Sequence, residues 1–265
     1  MNVAQIIKTW AILLTLCCGQ LQASFHNFMQ FVEQRKLNHV STEDLEMLYQ
    51  QFLQDLTPSD QPFLIALGGS PGAGKTTLRK QLSEQENIHL HDMDEVLVRL
   101  PCYQEDCTNH GAKIAFDKWW PTAREVAQLL VQYAIHSKYN ILYDRTCGAE
   151  GSYDDLKEAK KQGYRLQMIG LFVDSEVAIA RVKIREQQEG RAMTESILME
   201  YRARFSALWP YYLALVDEAF LYQTNDAPVL IYSTQQGVID PVAYDQFLQD
   251  GAPFHDFFAT KMTKL

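Results

Sequence analysis

The residues with the most explicit chemistry run Gly69-Ser70-Pro71-Gly72-Ala73-Gly74-Lys75-Thr76-Thr77. This is the spacing of a phosphate-binding loop. Its glycines let backbone N–H groups turn inward around a phosphate, and a helix starting at the loop's end adds the positive end of its dipole. Lys75 has the reach for β- and γ-phosphates, and Thr76 offers its hydroxyl to Mg²⁺. Phe63 to Leu67 before the loop is an apolar run that suits a buried strand, and Thr77 to Leu82 after it can continue as a helix. That strand–loop–helix context turns a glycine-rich turn into a nucleoside triphosphate site, with ATP and Mg²⁺ as the implied cofactors.

Phosphoryl transfer from such a site needs carboxylates and guanidinium groups. Asp94 follows a short strand candidate, Ile88 to His91, and is the choice for general base. Asp92, two residues earlier, either contacts substrate or metal or caps the following helix. Asp144 ends the apolar strand candidate Asn140 to Asp144, placed to meet substrate or to hold Mg²⁺ through water. Arg185 and Arg191 suit the spread negative charge of a transferring phosphoryl group, with Arg191 in a Gly-Arg segment that reads as a lid. Arg181, one turn before Arg185, is expected on a solvated charged face with Glu186 and Glu189.

The elements that must position these groups alternate. Helical spacing covers Phe25 to Leu37 and Leu45 to Leu56, the second capped from Ser41, before Thr57-Pro-Ser-Asp-Gln-Pro62 breaks the pattern. A helix is expected from Pro121 to Ser137, opened by its proline, and another from Tyr153 to Gln162. Arg165 to Val173 reads as a strand, Ser175 to Glu189 as a helix, and Thr194 to Val216 as a long helix whose aromatic stripe is core packing. Late strands are expected at Phe220 to Tyr222 and Val229 to Tyr232. Alternation of this kind predicts an α/β fold: a mostly parallel sheet of the P-loop nucleotide-kinase type with helices on both faces. Ligands of such sheets lie beyond the carboxyl ends of the strands, which gathers the loop, Asp92, Asp94 and Asp144. The expected organisation is a leader over 1–23, a helical segment over 24–60, a kinase domain over 61–235 and a helical tail over 236–265.

With 265 residues, 47% hydrophobic and 22% charged, the chain has room for one α/β domain with additions. A net charge of −9 without a basic block excludes a broad nucleic-acid surface, and Trp119-Trp120 is read as core or rim. Residues 1–23 carry Lys8, an apolar run through Cys18, and Leu-Gln-Ala23, the layout of a signal peptide; an amphipathic surface helix is the alternative. The apolar run is short for a membrane span of about 20 residues. A leader points to export, whereas an ATP requirement points to action in a cytosol, its own or another cell's. Cys102 and Cys107 are near enough in sequence to bridge in an oxidising compartment, and reduced thiols are expected where ATP is abundant.

Asp92-Met-Asp-Glu-Val-Leu-Val-Arg-Leu-Pro-Cys-Tyr103 resembles the Asp-x-Asp-Glu…Leu-Pro-x-Tyr segment of the zeta toxin kinases. Ile141-Leu-Tyr-Asp-Arg-Thr146, Lys161-Gln-Gly-Tyr164, Val173 to Arg181, Arg185 and Gly190-Arg191 follow in the same order. With the phosphate loop the resemblance covers about Phe63 to Tyr232. It implies a kinase that uses ATP and Mg²⁺ to phosphorylate a hydroxyl of the amino sugar of UDP-N-acetylglucosamine. It also implies Asp94 as base, Asp144 as substrate or metal contact, Arg185 and Arg191 as phosphate clamps, and an inhibitory protein partner over the nucleotide site. The chain departs from the pattern at Cys102, where the family has an acidic residue, and at Arg145, which sets a large cation where a glycine is usual. Another small-molecule or nucleic-acid-end kinase, or a nucleotide-binding module without transfer, shares the same loop.

Overall fold

The computed structural model describes residues 24–35, 40–82, 87–189 and 193–262. The leader, Arg191 and its flanking glycine lie outside the described residues. Two helices open the chain, α1 over residues 24–33 and α2 over Thr42–Phe52, the latter capped by Ser41, whose Oγ accepts from the Asp44 N–H at 3.0 Å. Then follow β1 (Phe63–Gly68), α3 (Lys75–Leu82), β2 (Ile88–His91), α4 (Met93–Arg99), α5 (Pro101–His110), α6 (Ala112–His136) and β3 (Asn140–Asp144). The rest comprises α7 (Glu150–Lys161), β4 (Arg165–Phe172), α8 (Ser175–Glu189), α9 (Glu195–Leu215), β5 (Glu218–Gln223), β6 (Val229–Ser233), β7 (Gly237–Val238), α10 (Pro241–Asp250) and α11 (His255–Met262).

The strands form one sheet in the order β2-β3-β1-β4-β5-β6-β7. The first five are parallel, and β6 and β7 add antiparallel at one edge. After β1 the chain crosses outward to β2, returns through β3, and then moves to β4 on the other flank. The crevice at the end of β1 is therefore the switch point where such sheets bind ligands. Alternation along the strands sorts the two faces. Leu64, Ala66, Ile141 and Tyr143 pack with α6, α7 and α9, whereas Leu67 and Leu142 pack with Ala178 and Val182 of α8 and with Leu78 of α3. The doubly covered parallel sheet expected from the alternating pattern is present.

Helices α5 and α6 depart from the sequence reading. Helix α6 begins at Ala112 and runs through Pro121 instead of starting there. Its first turns are anchored from outside: Lys118 Nζ and Trp119 Nε1 each donate to Asp106 of α5 at 2.6 Å, and Phe116 stacks on Trp120 at 5.0 Å. Helix α5 (Pro101–His110) is an element beyond those the sequence pattern predicts. The opening helices share the main core: Phe28 and Phe31 of α1 meet the Tyr133 ring of α6 at 5.2 and 5.3 Å. Burying each of those rings contributes about 2–3 kcal/mol. Cys102 and Cys107, both on α5, are free thiols. Among the described residues no helix is long and apolar enough to cross a membrane.

Candidate active site

The phosphate loop is clamped from three sides. Gly69 has φ +138°, and a Cβ there would stand 2.4 Å from the Leu171 carbonyl oxygen of β4; Gly72 has φ +81°, and its Cβ would stand 2.9 Å from the Ala178 carbonyl oxygen of α8. Both neighbours are backbone, so only glycine fits. The Gly69 N–H donates to the Thr146 carbonyl (3.2 Å), and the Ala73 carbonyl accepts from Thr224 Oγ1 (2.9 Å). Arg181 corrects an expectation. Its guanidinium does not lie on a solvated face but donates to the Gly72 carbonyl (3.1 Å) and the Asn225 carbonyl (2.7 Å), tying α8 and the loop after β5 to the phosphate loop. Ser70 and Ala73 are buried, Pro71 and Gly72 half-buried, and Gly74, Thr76 and Thr77 are exposed at the loop's mouth and the start of α3.

Lys75 folds back over that mouth, its Nζ donating to the Gly69 carbonyl (2.7 Å) and the Ser70 carbonyl (3.1 Å). Burial pulls its ammonium below the ordinary lysine value, while Asp144 and, more weakly, Asp94 push the other way. Asp144 mirrors this: burial lifts its carboxyl, and Lys75 and then Arg79 oppose the rise. Loop, Asp94, Asp144 and Arg185 thus converge on one charged centre, although they come from β1, α4, β3 and α8.

Arg79 is the site residue the sequence reading missed. It ion-pairs closely with Asp92 and lies 3.6 Å from Glu95 and 3.8 Å from Asp144. Its signal was there in retrospect, because it stands one helical turn after Lys75 and so shares that face of α3. Asp92 uses its other oxygen to cap α4, accepting from the Asp94 N–H at 2.9 Å. Its carboxylate therefore holds Arg79 and a helix start, the capping alternative of the sequence reading. Asp94 is different. Its side chain is 38% exposed, against 13% for Asp92 and 10% for Asp144, and it faces Arg185 at 3.7 Å. Of the three carboxylates, Asp94 is the one an incoming group can reach. Among the described residues no group of three or more His, Cys, Asp or Glu side chains is gathered to hold a metal.

The zeta toxin family model matches residues 48–209, well over half of the chain. The chain belongs to the zeta toxin family. Toxin PezT of Streptococcus pneumoniae is 30% identical over 136 residues, 49% of this chain and 52% of that protein. A calmodulin calcium-dependent NAD kinase of Arabidopsis thaliana is 21% identical over 216 residues, 62% of this chain and 40% of that protein. The chain thus spans about half or less of the curated relatives it matches. Among solved structures, the PezAT toxin–antitoxin system of Streptococcus pneumoniae superposes with a TM-score of 0.60 at 21% identity, covering 81% of this chain and 95% of that one. A complex of AvrRxo1-ORF1 and AvrRxo1-ORF2 with ATP gives a TM-score of 0.58 at 15% identity, covering 77% and 66%. Both likenesses show that the fold is shared.

The zeta toxin match ends inside α9, yet the helices beyond it buttress the phosphate loop. Arg202 of α9, nearly fully buried, donates to the Val173 carbonyl and to Asp250 of α10 at 2.5 Å. Phe247 of α10 meets the rings of Phe172, Phe205 and Trp209 at 5.5 to 5.8 Å. This packing sits directly behind Ser70, which lines the same small cavity as Arg202 and Asp250. Nothing in the sequence of the expected tail over 236–265 signals this contact, since its partners are far apart in the chain.

Proposed function

We propose that this zeta toxin family member transfers the γ-phosphate of ATP to a hydroxyl of a small nucleotide-bearing acceptor, foremost the amino sugar of a UDP-N-acetyl sugar. The observation that carries the reading is the placement of Asp94: a solvent-reachable carboxylate beside Arg185, electrostatically coupled to a phosphate-loop lysine. The loop offers the backbone N–H groups of Gly72 and Gly74 and of the first turn of α3 to the donor's phosphates, and Lys75 leaves its two loop carbonyls for the β- and γ-oxygens. Asp94 orients the acceptor hydroxyl and takes its proton as the oxygen attacks. Arg185, with Arg191, compensates the negative charge spread over the transferring group. Thr76, exposed at the start of α3, and Asp144, acting through water, would hold an Mg²⁺ ion, which would supply positive charge against the donor's phosphates. Arg79 keeps Asp92 and Asp144 in register and is a positioning residue.

A second reading of the acceptor, a ribose hydroxyl of NAD, is favoured by the sequence match to an NAD kinase. Purified chain lacking 1–23 is assayed with ATP and Mg²⁺ against UDP-N-acetylglucosamine and against NAD. Lys75→Ala and Asp94→Asn serve as controls. Transfer to one acceptor that vanishes in Lys75→Ala identifies it. Asp94→Asn is expected to lose at least a hundredfold in transfer while keeping ATP affinity, because a positioned base contributes about 10²–10⁴-fold; unchanged turnover in that variant removes Asp94 from the role. We further propose an inhibitory protein that covers the nucleotide site, in keeping with the toxin–antitoxin setting of the PezAT relative. Residues 1–23 are proposed as an export signal, checked by the N-terminal mass of the secreted chain.

A further inference from the structure

The cations at the carboxyl edge of the sheet meet carbonyl or carboxylate oxygens of the chain, with one exception. Lys75 and Arg181 donate to carbonyls, Arg79 lies among Asp92, Glu95 and Asp144, and Arg185 faces Asp94. Arg145, half-buried one residue past the end of β3, has neither. Among the described residues it makes no ion pair, and its charge reaches the Asp155 carboxyl only at longer range. Its guanidinium donates to Nε2 of His91 at 3.2 Å and lies 5.9 Å from the centre of the Tyr143 ring. A guanidinium carries five N–H groups, so most of its donors are uncommitted.

Its seat is built, not incidental. His91 and Tyr143 are register partners on β2 and β3, their rings stack at 4.7 Å, and both are buried. Tyr143 is fixed in turn by donating its hydroxyl to Asp155 at 2.8 Å, and Asp155 accepts from Gln128 at 2.6 Å. Because Arg145 can only donate, His91 must accept through Nε2 and carry its proton on Nδ1. On the backbone side, the Arg145 N–H bonds the Leu67 carbonyl at 3.3 Å, at the foot of the phosphate loop. His91 is three residues before Asp94, so the arginine's support and the candidate base lie on one segment.

We infer that Arg145 is a specificity-determining residue that binds a phosphate or diphosphate carried by the acceptor, distinct from the phosphates of the donor. An uncommitted guanidinium, pre-oriented by a neutral imidazole and a tyrosine ring, matches the fork geometry of a phosphate. Its contacts with the His91 and Tyr143 rings set Arg145 on the sheet face away from α3, whose Arg79 meets Asp144, so it does not compete for the donor. The inference rests on the kinase reading of the site and narrows its acceptor to an anionic one.

The test measures binding calorimetrically in full-length chain whose donor site is saturated with a non-hydrolysable ATP analogue. UDP, NAD and inorganic pyrophosphate are the probes, and uridine is the uncharged control. At least one anionic probe is expected to bind, and Arg145→Met to weaken it by about ten- to a hundredfold, the range for losing hydrogen bonds to a charged group. Arg145→Lys should recover part of the loss, with uridine and the ATP analogue unaffected in both variants. Equal affinity of wild type and Arg145→Met overturns the inference, as does wild type that binds none of the anionic probes. A variant that also loses the ATP analogue shows a damaged loop and overturns the assignment to the acceptor. Failure of the kinase reading itself appears elsewhere, as wild type that does not bind the ATP analogue at all.

Discussion

Substituting Gly72 by alanine separates two reasons for a glycine in the phosphate loop. Gly74 has φ +91° with nothing within 4 Å of a Cβ built there, so Gly74→Ala meets only the left-handed backbone penalty. That costs about 1–2 kcal/mol. Gly72 has φ +81° and the same penalty, but its Cβ would also lie 2.9 Å from the Ala178 carbonyl oxygen and 3.2 Å from the Ala178 Cα. These are atoms of a helix backbone, so no side chain can swing away, and loop and α8 must separate. Overpacking of that kind costs about a further 1–3 kcal/mol. Gly72→Ala is therefore expected to lose about 2–5 kcal/mol in all, against about 1–2 for Gly74→Ala. In a domain of this size the difference amounts to roughly 2–12 °C in melting temperature. Chemical denaturation and thermal melting of both variants, without nucleotide, provide the comparison. Separation of α8 would also pull the Gly72 carbonyl off Arg181, so ATP affinity is expected to fall in the same variant. If Gly72→Ala is within about 0.5 kcal/mol of Gly74→Ala, the packing of loop on α8 does not hold the loop, and the reasoning fails.

Two further outcomes follow from the buried charges. Arg79→Met leaves Asp92 and Asp144 without their shared guanidinium and is expected to cost about 3 kcal/mol, as for breaking an inward ion pair by removing one partner. The burial-raised Asp144 carboxyl rises further without Arg79, so the protonated folded form is favoured and the deficit in urea unfolding should shrink from about pH 7 to about pH 4. His89 gives the second. It is fully buried, its Nε2 has no partner, and burial holds its ring at about 4 instead of 6.5. Between those values the unfolded chain takes up the proton and the folded chain does not. Its contribution is therefore complete above pH 6.5 and falls with pH by about 1.4 kcal/mol per unit. His89→Leu should flatten the slope, so that wild type loses about 2 kcal/mol more than the variant between about pH 7 and about pH 5; parallel pH profiles would refute it.

Much of the molecule is written in contiguous stretches. The phosphate loop needs its glycines, lysine and threonine within a few residues of one another, so the sequence alone determined the strand, the loop and the helix after it. The alternation of apolar runs and helical faces determined a parallel sheet covered on both sides, and the switch-point rule placed Asp94 and Asp144 near the loop before any contact was visible. What remained hidden depends on partners distant in the chain. Arg181 looks like one of several charges on α8 until Gly72 and Asn225 come to meet it. Arg79 looks like an ordinary helix cation until the ends of β2 and β3 bring Asp92 and Asp144 beside it. Pro121 reads as a helix start because local propensity cannot register that α5, through Asp106, holds the preceding turns. Arg202 and Phe247 show the same limit from the C-terminal side. Spacing records which groups the backbone keeps near each other, whereas the pairing of a charge is decided by whichever groups packing brings within a few ångströms, and only the folded chain fixes that.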